Sequence, residues 1–182
     1  MFEELTGPAA LAAVTITAFL VIVLARAAWH KIDRFLETVG FAQGYGLVPE
    51  AATVPIVRAL TAAEVATILA LLVPATRPLG GFAAAGLFAG YGVLMTVALR
   101  QGRTRIECGC GGPPQLVSGF TLARNAGLAA LGLAVAVLPV ASVPPLGALL
   151  AIVAALVLAA QYGILEKLAS HLPNIRNGEG TR

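Results

Sequence analysis

Two cysteines, Cys108 and Cys110, stand one glycine apart and are the only thiols in the chain. A Cys-Gly-Cys pair can bring its Cα atoms just inside the disulfide range of about 4.4 to 6.8 Å. A bond in so small a ring is strained, and strained disulfides are easily reduced. Such a pair suits exchange better than stapling. The segment around it, Arg100 to Gly119, is glycine-rich and carries Arg103 and Arg105. Positive charge favours the thiolate, which is the attacking species. Two other readings of the thiols stay open. Thiolates also bind soft metals such as Cu(I) or Zn, although no second ligand pair completes a site and His30 and His171 are the only histidines. The third reading is two inert thiols.

The second chemical feature is a carboxylate, Glu64, within an apolar stretch from about Thr53 to Val73. An ionised carboxylate at the centre of a bilayer costs roughly 2.5 to 3.5 kcal/mol even on lenient insertion scales. Its retention implies a use. Counted from Pro55 at about 1.5 Å per residue, Glu64 lies about 14 Å along the helix. Arg58, Thr61, Glu64 and Thr67 recur every third residue as a slanting polar stripe. Arg58 and Glu64 are six apart and about 120° from each other around the helix, so they do not form a simple pair. The expected partner of Glu64 is a cation from another helix, Lys31 or Arg124, unless the carboxyl is protonated. Two roles follow: an interhelical clamp, or handling of a proton or substrate.

These residues must be positioned by apolar helices. The 182 residues are 58% hydrophobic and 12% charged, about half the charge of ordinary soluble chains. That scarcity excludes a soluble domain, and the apolar content excludes disorder. Nucleic-acid binding is excluded as well, since the 12 basic residues are not interleaved with aromatics along a groove-like stretch. Each crossing of a bilayer takes about 20 apolar residues, and the sequence supplies about five. The expected spans are residues 8–28, 53–73, 79–99, 120–138 and 146–165. The architecture is an all-α polytopic membrane bundle, a four-helix core plus a C-terminal fifth helix, forming one integral domain over residues 1–182. The acidic start, Met1-Phe2-Glu3-Glu4, argues against a cleaved signal peptide.

Between spans one and two, Trp29, Ile32, Phe35, Leu36 and Val39 recur at helical spacing among charged residues, which predicts an amphipathic interfacial segment. Gly40, Gly44, Gly46 and Pro49 are expected to break the chain after it. Gly86 and Gly90 in span three form a small-xxx-small pattern for close helix contact. Arg124 and Asn125 fall in the first turns of span four, and a polar tail is expected from Glu166 onward.

As a set, Lys31, Tyr45, Pro49, Pro55, Glu64, Gly102, Arg103, Cys108-Gly109-Cys110-Gly111 and Arg124-Asn125 resemble the MauE family of methylamine utilisation proteins. That family lies within a wider group of MauE and DoxX-like redox-associated membrane proteins. The resemblance runs from span one to the start of span four and departs at Gly112, where an aromatic residue is expected. It implies an accessory protein that works with a thioredoxin-like partner in disulfide formation and maturation of an extracytoplasmic client. In the family's type case the client is the small, disulfide-rich subunit of methylamine dehydrogenase.

The resulting expectation is a redox accessory factor in the cell membrane, more than a stand-alone enzyme. Cys108 and Cys110 exchange with the partner, Arg103 and Arg124 stabilise the thiolate, Glu64 handles a proton or clamps the bundle, and Lys31, Arg58 and Asn125 support the site. The alternatives are a non-redox scaffold for the thioredoxin-like partner and a soft-metal carrier. No cofactor is required by the sequence; a quinone could be the final electron acceptor, but no motif shows one. Alternation of spans puts Arg26, Lys31, Arg34, Arg100, Arg103, Arg105, Lys167, Arg176 and Arg182 on the face that carries the thiols, against Arg77 alone on the other. The positive-inside rule makes that face cytoplasmic, whereas an oxidative role places it outside, where disulfides persist.

Overall fold

The computed structural model describes residues 7–102, 118–138 and 143–178, with side chains through residue 170. The Cys-Gly-Cys connector, including Arg103 and Arg105, lies outside the described residues. Six helices are seen among the described residues: α1 (Pro8–Asp33), α2 (Phe35–Gly44), α3 (Glu50–Leu72), α4 (Arg77–Arg100), α5 (Gly119–Val137) and α6 (Pro145–Gly178). All but α2 are long and apolar enough to cross a membrane. The five expected spans are therefore present.

Proline and hydroxyl chemistry sets the starts of several helices. Pro8, Pro78 and Pro145 lie at or near the first positions of α1, α4 and α6, where a missing N–H costs no hydrogen bond. At α5 the Ser118 backbone N–H donates to Thr121 Oγ1 at 2.9 Å, satisfying a donor that the first turn would otherwise leave open.

Several boundaries differ from expectation. The first span runs on through Asp33, so Trp29 and Ile32 belong to α1, and the interfacial segment is the ten-residue α2. Gly40 and Gly44 lie inside α2; the break comes at Gly46, whose φ of 59° suits a residue without a Cβ. Helix α3 starts five residues before Pro55, leaving that proline inside the helix. Toward the other end, α6 continues as far as Gly178, taking in most of the residues expected to be a polar tail. Its Glu166 is buried.

The core gathers Phe19, Leu20 and Leu24 of α1, Leu71 of α3, Phe88 of α4 and Leu128 of α5. Helix α1 is central, touching α2, α3, α5 and α6, while α4 and α5 share the most extensive interface. That last interface is made by small residues. A Cβ on Gly132 would fall 2.7 Å from the Ala85 backbone nitrogen, and one on Gly81 would fall 2.6 Å from that of Ala136. Gly81 with Ala85 and Gly132 with Ala136 are thus the small-xxx-small pairs that let two backbones meet. Gly86 and Gly90, expected in that role, face open space: a Cβ on either would meet nothing within 4 Å. Their face of α4 is turned away from α5, and the expectation is corrected accordingly.

Candidate functional site

Glu64 is completely buried. Counted from the observed start of α3 at Glu50, it lies about 21 Å along the helix, deeper than a start at Pro55 implied. Its Oε1 accepts two hydrogen bonds, from Lys31 Nζ at 2.8 Å and from the Tyr91 hydroxyl at 2.7 Å. The second oxygen, Oε2, has no hydrogen-bond partner among the described residues. Lys31, at the end of α1, is also buried, and its ammonium lies 5.4 Å from the Tyr91 ring centroid, within cation–π range. One carboxylate oxygen therefore joins α1, α3 and α4. Of the two cations expected for Glu64, the structure places Lys31 there.

Arg124 goes elsewhere. Its Nη1 meets Glu166 Oε1 at 2.8 Å, and Arg26 Nη2 meets Glu166 Oε2 at 2.5 Å. Glu166, like Glu64, is almost wholly buried, so this second cluster fastens α6 to α1 and α5. On the opposite side of the bundle the buried Arg77 donates to the Leu138 carbonyl at 3.1 Å, closing the other end of the α4 and α5 pair.

The remaining expected residues separate. Arg58, expected in a supporting role, is exposed and lies over the Phe35 ring at 5.6 Å; it does not pair with Glu64, in keeping with their angular separation on the helix. The polar stripe divides accordingly: Glu64 and Thr67 face inward and Arg58 outward. Asn125 is buried, its amide nitrogen donating to the Thr121 carbonyl at 2.8 Å and lying 3.7 Å from Met95 Sδ. That contact ties α5 to α4. Cys108, Cys110 and Arg103 lie outside the described residues.

Above the Lys31, Glu64 and Tyr91 cluster is a cavity of about 120 Å³ bounded by α1, α2, α3 and α4. Lys31, Thr38, Tyr45 and Tyr91 supply its polar lining, the Thr38 hydroxyl being committed to the Arg34 carbonyl; Phe41, Leu60 and Met95 are among its apolar walls. Burial pushes the Tyr45 phenol up from its ordinary value, and the nearby Arg124 charge opposes that only in part. Tyr91 and Glu166 were not singled out by sequence reasoning. For Tyr91 a signal existed: a buried tyrosine hydroxyl in an uncharged span needs a polar partner.

Taken together, the helices and the two buried ionic clusters define a multi-pass membrane protein whose bundle is held by charges inside it. Comparison with known sequences then places it: the chain belongs to the MauE family of methylamine utilisation proteins, which it matches over residues 9–139. It is 36% identical over 124 residues to the methylamine utilization protein MauE of Methylophilus methylotrophus, covering 66% of this chain and 65% of that protein. To the protein of the same name from Methylorubrum extorquens it is 33% identical over 123 residues, covering 65% and 66%. To that of Paracoccus versutus it is 34% identical over 127 residues, covering 68% of each. The chain thus spans just under two thirds of the length of the first two relatives. No solved structure matches it. The matched segment contains Lys31, Glu64 and Tyr91 but ends before α6 and Glu166.

Proposed function

We propose that the chain is a membrane thiol-disulfide relay that serves methylamine utilisation by supporting disulfide formation in an extracytoplasmic client through a thioredoxin-like partner. The observation that carries the reading is the Cys108-Gly109-Cys110 pair in the basic connector between α4 and α5, in a chain of the MauE family. In the exchange, a thiolate of the partner attacks the strained disulfide, and a mixed disulfide forms and resolves. The partner leaves oxidised and the relay is left as a dithiol, two electrons and two protons having passed to it. Arg124 is engaged by Glu166, so stabilisation of the relay thiolate falls first to Arg103 within the connector. Glu64 acts as a clamp, because Lys31 and Tyr91 converge on a single oxygen of its carboxylate.

Client disulfide formation, read in cells by alkylation and gel shift, tests the reading. Cys108→Ser or Cys110→Ser abolishes it; normal client maturation in the double variant removes the relay. A second reading, a non-redox scaffold for the same partner, is favoured by one observation: Lys31, Glu64, Arg124 and Glu166 are all engaged within the bundle. It predicts the reverse pattern, with cysteine variants active and variants of the Gly81 and Gly132 interface inactive.

A further inference from the structure

The cavity between α1, α2, α3 and α4 has features that the relay as described does not use. Its volume, about 120 Å³, is close to that of an engineered apolar cavity of about 150 Å³ that takes a benzene ring. It therefore suits one six-membered ring. Its walls are apolar, with Phe41, Ile56, Leu60, Leu94 and Met95 contributing. Two donors border it. Lys31 carries three N–H donors, of which one is committed to Glu64. The Tyr45 hydroxyl makes no hydrogen bond with any described residue. Tyr91 is different, since its hydrogen is already given to Glu64.

An acyl chain would fill the walls and leave both donors without acceptors. A ring bearing carbonyl oxygens would satisfy walls and donors together. The location matters too: Tyr91 and Met95 lie nine and five residues before the end of α4 at Arg100, or about 14 and 8 Å along its axis. The cavity is therefore sunk in the bundle on the side from which the connector departs.

We propose that this cavity binds the ring of a membrane-soluble benzoquinone, with Lys31 and Tyr45 donating to its carbonyl oxygens. The inference rests on the relay reading for its chemical consequence. The reduced relay must be reoxidised, and a quinone balances that step. Two thiols become one disulfide, releasing two electrons and two protons; the quinone takes both pairs and leaves as the quinol. Its apolar body reaches and leaves the site through the bilayer. Tyr45 is a positioning residue for the ring, and Lys31 supplies positive charge beside the oxygen on which electrons accumulate.

The test uses the full chain in phosphatidylcholine nanodiscs, with decylubiquinone as the probe and protein-free discs as the reference for lipid partitioning. The parent protein should retain one probe per chain above the reference, with a lowered carbonyl stretching frequency in the infrared from hydrogen bonding. Tyr45→Phe preserves the shape of the side chain and removes a donor; it should weaken retention about fivefold, the effect of one lost hydrogen bond, and move the carbonyl band back. Leu60→Trp should abolish retention by filling the space, whereas Leu69→Trp, at an exposed position of α3 that does not line the cavity, should not change it. Retention no greater than in protein-free discs, or unchanged by both Tyr45→Phe and Leu60→Trp, overturns the site. The Cys108→Ser/Cys110→Ser variant should bind as the parent does. If the parent binds the probe but a dithiol donor never reduces it, the relay fails while the ring site stands; if clients are oxidised with no probe bound, the ring site fails while the relay stands.

Discussion

Lys31→Met, Glu64→Leu and the double variant provide a measure of what the buried pair contributes. Lys31 and Glu64 side chains are 6% and 0% exposed, and their charged atoms are 2.8 Å apart. Removing one partner strands the other in a dry interior, which costs about 3 to 5 kcal/mol. For Lys31→Met the stranded group is a carboxylate left with the Tyr91 hydroxyl on Oε1 and no described partner on Oε2, so a loss toward the upper half of that range is expected. Replacing both with apolar side chains removes both buried charges and is often close to neutral. The double variant should therefore be more stable than either single one, with a coupling energy of about 3 kcal/mol or more. The internal control is Arg34 and Glu37, 3.2 Å apart but 60% and 46% exposed, where the coupling should be about 0.3 to 0.5 kcal/mol. Unfolding in mixed micelles titrated with SDS, followed by circular dichroism, gives all these values on one scale. A coupling for Lys31 and Glu64 no larger than that for Arg34 and Glu37 would refute the assignment of a clamp.

Gly132→Val and Gly86→Ala should separate in the same unfolding assay. The first forces a side chain onto the Ala85 backbone at 2.7 Å and should prevent normal α4 and α5 packing, whereas the second, with nothing within 4 Å, should gain about 0.5 to 1 kcal/mol of helix propensity. Glu166→Gln removes the charge that Arg26 and Arg124 share, and its melting temperature should fall well below that of Glu37→Gln; equal values would show that α6 is held by apolar contact alone. The Tyr45 phenol, raised by burial, should ionise above pH 10, seen as the part of the 295 nm absorbance titration that Tyr45→Phe lacks. Because the folded value is raised, its contribution to stability is complete below the unfolded value near 10 and is lost as pH rises through the folded one. Labelling with a membrane-impermeant thiol reagent after reduction of intact cells should modify Cys108 and Cys110; protection until the membrane is opened would place the thiols in the cytoplasm and refute an extracytoplasmic client.

The five spans were legible because a bilayer imposes a length on every crossing, and runs such as Pro8 to Ala25 or Leu79 to Leu99 meet it without interruption. That Glu64 needs an interhelical cation was legible for the same reason, since charge in hydrocarbon demands a partner. Which cation it takes was not. Lys31 and Arg124 are equivalent as charges, and the choice depends on the rotation of α1 against α3, which no local pattern encodes. Glu166 was hidden by its neighbours: set before Lys167 and His171 it reads as the beginning of a polar tail, yet α6 carries it inward to two arginines. The glycines show the same limit. Spacing predicts a small-residue face on α4, but Gly81 and Gly86 offer two, and only the packing of α5 selects Gly81.

The two ionic clusters share a helix. Arg26 and Lys31 are five residues apart on α1, about 140° around its axis, so α1 offers one cation toward α6 and the other toward α3 and α4. In water such a central helix would be held by the hydrophobic effect; in lipid, where the solvent is as apolar as the side chains, association rests on packing and on polar contacts between helices. A chain with few charges has thus placed several of them at the joints of its most connected helix. Those charges are also removed from the count that orients the protein, because the positive-inside rule concerns lysines and arginines of loops. Lys31 and Arg26 lie within α1 and Arg124 within α5, each against a buried carboxylate. They report how the bundle is assembled, and the orientation signal must be taken from the connector and the chain beyond the spans.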